Sequence, residues 1–305
     1  MRLKIILEQS KPEQLIPINY QYYLSSFIYS TLESADSEYS LWLHDNGYKS
    51  GNKAFKFFTF SLLNLRDWEL QGTSIKIKSP RIEFTISLYT QKMAEKFVAG
   101  MFKDKTMNIF DRNTRANFKI KTIEAVPEIE FNEQMFFRAK SPIAIKQNRE
   151  SANEDIYIGP DHPKFTELLK KNLEEKYVTK CIMDNMAVST EGIEEINIIG
   201  DYKGKLIKIR EGDYSETCVK GYFCTFEIVG NSEMIKLGYE TGFGINNSLG
   251  FGFTEQHSHR KISKQKHKHT QDKKESEISR IENEIERLKS ELETIKVNNH
   301  DIHIE

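Results

Sequence analysis

Gly238-Tyr-Glu-Thr-Gly242-Phe243-Gly244-Ile-Asn246-Asn247-Ser248-Leu-Gly250-Phe251-Gly252-Phe253 carries two Gly-Phe-Gly triplets separated by five residues. Glycine lets the backbone take φ > 0, or approach another chain without a Cβ in the way. Two copies joined by Asn246, Asn247 and Ser248 read as a loop with exposed amide N–H groups, which can form a concave anion site suited to phosphate. The competing reading is a glycine-kinked hairpin whose Phe243, Phe251 and Phe253 fill the core. No Gly-Lys-Ser/Thr closes the pattern, so it is not a P-loop. No helix-length pattern follows Gly252, so it is not a dinucleotide fingerprint.

The chain leading to this loop alternates strand and helix patterns. Residues 2–8 read as an opening strand, and Leu24, Phe27, Ile28 and Leu32 mark a helix over 20–33. A short helix follows over 37–45, with Ser37 as N-cap and Gly47 just past its end. Residues 55–63 are a strand by aromatic content. Ile75 and Ile77, then Ile82, Phe84, Ile86 and Leu88, alternate with polar residues across Ser79-Pro80 and predict a two-strand hairpin. Met93, Phe97 and Met101 give a helical face, and 118–125 closes the unit as a strand. A second unit follows: strand 136–145, helix 165–177, strands 193–199, 205–209 and 219–229, and a helical segment 232–237. This order predicts an α+β chain of two tandem ferredoxin-like (RRM-like) units, each a split βαβ. The expected boundaries are 1–130, 131–256 and a tail at 257–305.

That tail differs in kind. Residues 257–274 hold seven Lys/Arg and four His with almost nothing apolar, as expected of a solvated basic linker. Beyond it, Ile278, Ile281, Ile285, Leu288, Leu292 and Ile295 alternate spacings of three and four, the pattern of a short coiled coil or of a helix docked on the body.

Composition sets limits. The 305 residues give room for two domains and carry a net charge of −1, so any nucleic-acid face must be gathered locally and balanced by acids elsewhere. The clusters Glu174/Glu175 and Glu191/Glu194/Glu195 could supply that balance. No 18-residue apolar run and no signal peptide are read, so no membrane is expected. Three cysteines without Cys-x-x-Cys spacing fit a reducing cytosol rather than a disulfide framework or structural zinc. No metal-ligand spacing occurs in the body, and no cofactor is expected.

Of eight histidines, six lie in the tail, leaving His44 and His162 as imidazoles of the body. His162 sits in a Gly-Pro-Asp-His-Pro turn. His44 follows Leu41-Trp42-Leu43 in the last turn of the short helix, at the negative end of its dipole. Histidine suits proton transfer to and from an RNA hydroxyl near neutrality. Lys56 stands among Phe55, Phe57, Phe58 and Phe60, where a half-buried lysine needs a partner or a task. Tyr29 lies one step off the buried stripe of the first helix.

The glycine pattern resembles the C-terminal signature of the CRISPR-associated protein six family, matching at Gly242, Gly244, Gly250 and Gly252. Tyr29 in Ser-Phe-Ile-Tyr-Ser, His44 in Leu-Trp-Leu-His-Asp and Lys56 in Phe-Lys-Phe-Phe-Thr-Phe-Ser resemble its catalytic Tyr/His/Lys set, with Lys49 and Lys53 as alternatives for the lysine. The resemblance spans roughly residues 1–254. It implies a metal-independent endoribonuclease that cuts CRISPR repeat transcripts by attack of a 2′-hydroxyl on the adjacent phosphate, leaving a 2′,3′-cyclic phosphate and a 5′-hydroxyl. Tyr29, His44 and Lys56 would be catalytic, and Gly242, Gly244, Asn246, Asn247, Ser248, Gly250 and Gly252 would bind RNA. Lys76, Lys78 and Arg81 are further basic candidates. Expected partners are repeat RNA, with CRISPR effector proteins and a second copy of the chain as further candidates. The alternatives are a non-catalytic RNA-binding subunit of the same superfamily and a coiled-coil scaffold.

Overall fold

Residues 2–9 lie at the centre of a five-stranded antiparallel sheet. Its spatial order is Phe58–Phe60, Arg81–Leu88, Arg2–Gln9, Arg115–Ala125, Thr106–Phe110. Alternation along Arg2–Gln9 puts Leu3, Ile5 and Leu7 on one buried face, with Ile5 opposite Phe84 and Ile123. Helices α1 (Gln21–Ala35) and α3 (Gln91–Lys103) bring Leu24, Ile28, Leu32, Met93, Phe97 and Met101 into the same core, and α2 (Ser37–Asp45) follows α1 directly. Each such side chain taken from water contributes about 1.5–3 kcal/mol. The computed structural model describes residues 1–51, 53–147 and 156–258. The basic linker beyond 258 and the coiled-coil pattern at 278–295 lie outside the described residues.

The second half has a sheet and helices of its own. Its four-stranded antiparallel sheet runs Ile193–Ile209, Thr217–Gly230, Gln134–Ala139, Thr254–Gln256. Helices α4 (Phe165–Met183) and α5 (Ser232–Thr241) supply Phe165, Leu169, Leu173, Met234, Ile235 and Leu237 to its core. Among the described residues no helix is long and apolar enough to cross a membrane.

Several sequence expectations need correction. Ser74–Ile77 and Arg81–Leu88 do not form a hairpin. The former pairs with Leu15–Pro17 and Trp68–Gln71, the latter with Arg2–Gln9 and Phe58–Phe60. The N–H groups of Lys78 and Ser79 both donate to Asp67 O at 3.0 and 3.1 Å, which diverts the chain from one sheet to the other. Residues 55–63 are not one strand, because Phe57 takes φ 52° between Lys53–Phe55 and Phe58–Phe60. The N-cap of α2 is Asp36, whose carboxylate accepts from Tyr39 N at 2.9 Å, and not Ser37. Strands 193–199 and 205–209 are one strand, Ile193–Ile209, with a register shift between Ile199 and Lys203. The strand expected at 136–145 stops at Ala139, and Ile143 and Ala144 make isolated bridges to Tyr222 and Ile245.

Buried polar contacts lock the halves together. Arg2, 6% exposed, donates from Nη1 to Thr254 O at 2.6 Å and from Nη2 to Tyr239 O, with its guanidinium over the Tyr239 and Phe253 rings. Ser87 Oγ donates to Glu240 O at 2.7 Å, and Thr59 Oγ1 to Phe251 O at 2.9 Å. Arg2→Met keeps much of the volume but strips two buried carbonyls of their donors, so it should destabilise residues 1–257 by about 3 kcal/mol. Urea denaturation of the wild type and the variant measures this directly.

Candidate active site

Tyr29, His44 and Lys56 line one cavity of about 570 Å³, bounded also by Ser248 and Leu249 of the glycine-rich loop and by Arg210. Helix α1 presents Tyr29 edge-on to the His44 ring, with centroids 5.2 Å apart and planes at 79°, and to Phe58 at 5.5 Å. Burial pushes the Tyr29 phenol up to about 12, with the Ser248 side chain pulling it the other way, so it stays protonated through neutral pH. The His44 side chain is 61% exposed, and its Nδ1 lies 2.8 Å from Asp45 Oδ1. A carboxylate there holds the proton on Nδ1 and leaves Nε2 as the free base. Asp45 was not singled out in the sequence, although its place directly after His44 was the available signal.

Lys56 Nζ donates to His44 O at 2.6 Å, and desolvation lowers its pKa against the opposing pull of Asp45. The other two lysines turn elsewhere. Lys49 Nζ donates to Asn46 Oδ1 at 2.7 Å, and Lys53 pairs with Glu175 at 2.5 Å. Of the three, Lys56 alone shares the cavity with His44 and Tyr29. His162 stands apart, its Nδ1 accepting from Lys164 N at 3.2 Å within its own turn. Lys76 and Lys78 are paired with Glu13 and Glu69.

The glycine-rich loop is seated by its backbone. Phe243, Phe251 and Phe253 are buried, so part of the core-filling reading holds. A Cβ on Gly252 (φ 77°) would lie 2.0 Å from Phe243 O, and one on Gly250 (φ 84°) 2.5 Å from the Phe60 ring. The N–H groups of Gly242, Phe243, Ile245, Leu249, Gly250 and Gly252 all donate to backbone oxygens. Those of Asn246, Asn247 and Ser248 have no acceptor among the described residues. They border a second cavity of about 370 Å³ that also holds Lys53, Lys56 and Lys176. Ser25 Oγ donates to Ser248 O at 2.7 Å, which fixes the loop beside α1.

Lys176, in α4, was missed in the sequence and organises this loop. It is 2% exposed, and its Nζ donates to Gly242 O, Gly244 O and Asn247 Oδ1 at 2.6, 3.0 and 2.7 Å. Asn247 Nδ2 in turn reaches Phe243 O and Phe251 O. Burial pulls the Lys176 ammonium down to about 7. The unfolded chain, with an ordinary lysine near 10.5, then holds a proton that the folded chain has released. Stability from this group is therefore present above about 10.5 and is lost as pH falls through about 7. Lys176→Met should lower stability by roughly 2–4 kcal/mol by orphaning buried acceptors. It should also remove the rise in stability between those pH values, which denaturation at a series of pH values would reveal.

The chain resembles known proteins over both halves. Residues 15–123 match the family model described as CRISPR-associated protein Cas6, N-terminal, and residues 124–256 match CRISPR associated protein Cas6, C-terminal. The chain is 31% identical over 258 residues to the CRISPR-associated endoribonuclease Cas6 1 of Methanocaldococcus jannaschii, covering 83% of this chain and 91% of that protein. It is 27% identical over 255 residues to the CRISPR-associated endoribonuclease Cas6 of Pyrococcus furiosus, covering 83% and 88%. A solved CRISPR associated protein Cas6 superposes with TM-score 0.65 at 28% identity, covering 85% of this chain and 99% of the other. A Cas6-related protein from Pyrococcus furiosus reaches 0.70 at 23% identity, with coverage of 85% and 99%, a likeness of fold. A protein organised around that glycine-rich loop, matched over both halves and to these relatives, belongs to the Cas6 family of CRISPR-associated endoribonucleases.

Proposed function

We propose that the protein cuts CRISPR repeat RNA within the cavity of Tyr29, His44 and Lys56, without a metal. The supporting observation is the convergence of the three side chains beside a loop that offers free N–H groups at Asn246, Asn247 and Ser248. His44 Nε2, with Nδ1 held by Asp45, takes the proton of the 2′-hydroxyl. The 2′-oxygen forms a bond to the adjacent phosphorus as the bond from phosphorus to the 5′-oxygen breaks. The protonated Tyr29 hydroxyl donates to that leaving oxygen, and the Lys56 ammonium faces the charge gathering on the phosphoryl oxygens. The products are a 2′,3′-cyclic phosphate and a 5′-hydroxyl. The loop's free N–H groups receive a neighbouring phosphate.

Both halves fit the ferredoxin-like plan in this reading. Each runs strand, helix, strand, strand, helix, strand, with its second, third, first and fourth strands adjacent in that order, and the first half adds Thr106–Phe110 at one edge. In this reading the tandem units meet near residue 130, with the catalytic set on the first and the loop on the second.

His44→Ala should lower single-turnover cleavage of repeat RNA by at least about a hundredfold with little change in affinity. Cleavage at the wild-type rate would remove His44 from the mechanism. Excess EDTA should leave the rate unchanged, and a rate restored only by added magnesium or manganese would contradict the metal-free route.

A further inference from the structure

The cavity of Tyr29, His44 and Lys56 does not end at those residues. It shares Tyr22, Ser26 and Ser30 with a second cavity of about 470 Å³ along the open side of α1, which reaches Asn108 and Phe110 on the edge strand Thr106–Phe110. A run of aromatic rings follows the same path. Tyr22 and Tyr23 lie 5.7 Å apart, and Tyr23 and Phe110 lie 6.3 Å apart with planes inclined by 39°. Phe110 is 50% exposed at the far end, so its ring is open to a flat partner.

Cations stand at both ends of the run. The Arg210 guanidinium carbon is 5.7 Å from the Tyr22 ring, and that of Arg115 is 5.7 Å from the Phe110 ring. Arg210 arrives on the long ribbon of Ile193–Ile209 and Thr217–Gly230, docked near α1 where Asn19 Oδ1 accepts from Lys208 N at 3.2 Å. Two of the nearby acids, Asp104 and Asp111, are engaged in local turns, Glu211 accepts from Asn19 Nδ2 at 2.7 Å and pairs with Lys208, and Glu33 lines the cleavage cavity. Asp104 accepts from Thr106 N and Oγ1, and Asp111 from Asn113 N and Thr114 N. Stackable rings flanked by guanidiniums, continuous with a cleavage cavity, match single-stranded RNA, which offers a flat base and a phosphate at each step. An apolar protein knob would use the rings and leave the two guanidiniums without a role.

We propose that this groove is the track for the single-stranded RNA on one side of the cut, with a base stacked on Phe110 and phosphates near Arg115 and Arg210. The proposal rests on placing the cut at the His44 cavity, but its readout is affinity rather than cleavage. The two can therefore fail separately, since loss of the His44 assignment would show as cleavage retained in His44→Ala.

The test uses the full chain and repeat RNA carrying a 2′-deoxy nucleotide at the cut, together with two RNAs trimmed at the cut on one side or the other. Phe110→Ala should weaken binding of the untrimmed RNA about tenfold, the scale of one lost base stack. That penalty should vanish with one trimmed RNA and persist with the other. Phe110→Trp should keep wild-type affinity, and RNA should quench its added fluorescence. Arg115→Gln should lower the slope of log affinity against log salt by about one. Wild-type affinity of Phe110→Ala for all three RNAs, or an equal penalty with both trimmed RNAs, would overturn the track. A change in oligomeric state by light scattering without a change in RNA affinity would make the groove a protein interface instead.

Discussion

The buried amino group of Lys176 determines what the glycine-rich loop can be. Three oxygens of the loop converge on it, and Asn247, one of the three acceptors, spends its amide on two more loop carbonyls. A lysine removed from water needs such a set of acceptors, because burial without partners disfavours the charge. The loop oxygens are thereby drawn inward. Asn246, Asn247 and Ser248, whose N–H groups have no acceptor among the described residues, line a cavity with Lys53 and Lys56. The buried Lys176 amino group thus gathers the loop's oxygens, and Gly250 packs closely against the Phe60 ring of the first sheet.

The charge distribution follows from the same division of labour. A chain of net charge −1 cannot attract RNA by bulk potential, so its cations must be placed individually. Lys56, Lys53 and Arg210 border the two cavities near the loop, while Glu133, Glu174, Glu191, Glu194 and Glu233 gather around a separate cavity between α4 and the second sheet. Lys76 and Lys78, which looked available in the sequence, are paired with acids.

What the sequence disclosed depended on whether the signal was local. The helices α1 and α3 were readable from Leu24, Ile28, Met93 and Phe97, because a helix contacts its surroundings at a fixed period. His44 stood out through the scarcity of other imidazoles in the body, and Lys56 through its aromatic neighbours. The partner of Ser74–Ile77 was not readable, since alternation states which face is buried and not which strand lies alongside. Lys176 was hidden among Lys170, Lys171 and Glu174, where the pattern is that of any solvated helix. Arg210 lies far along the chain from Tyr22, and nothing local announces that a ribbon will deliver it there. Glycines announced the loop, but their packing against Phe60 and Phe243 O depends on the tertiary fold.

The central claim is that the RNA supplies its own nucleophile and the protein supplies only a base, an acid and a fixed cation. It is tested most directly by removing one oxygen from the substrate. A repeat RNA with a single 2′-deoxy nucleotide on the 5′ side of the cut should bind with unchanged affinity and remain intact, while the all-ribose RNA yields a product ending in a 2′,3′-cyclic phosphate. Cutting of the deoxy-substituted RNA at the same position, or a product with a 5′-phosphate, would show that water attacks and would contradict the account.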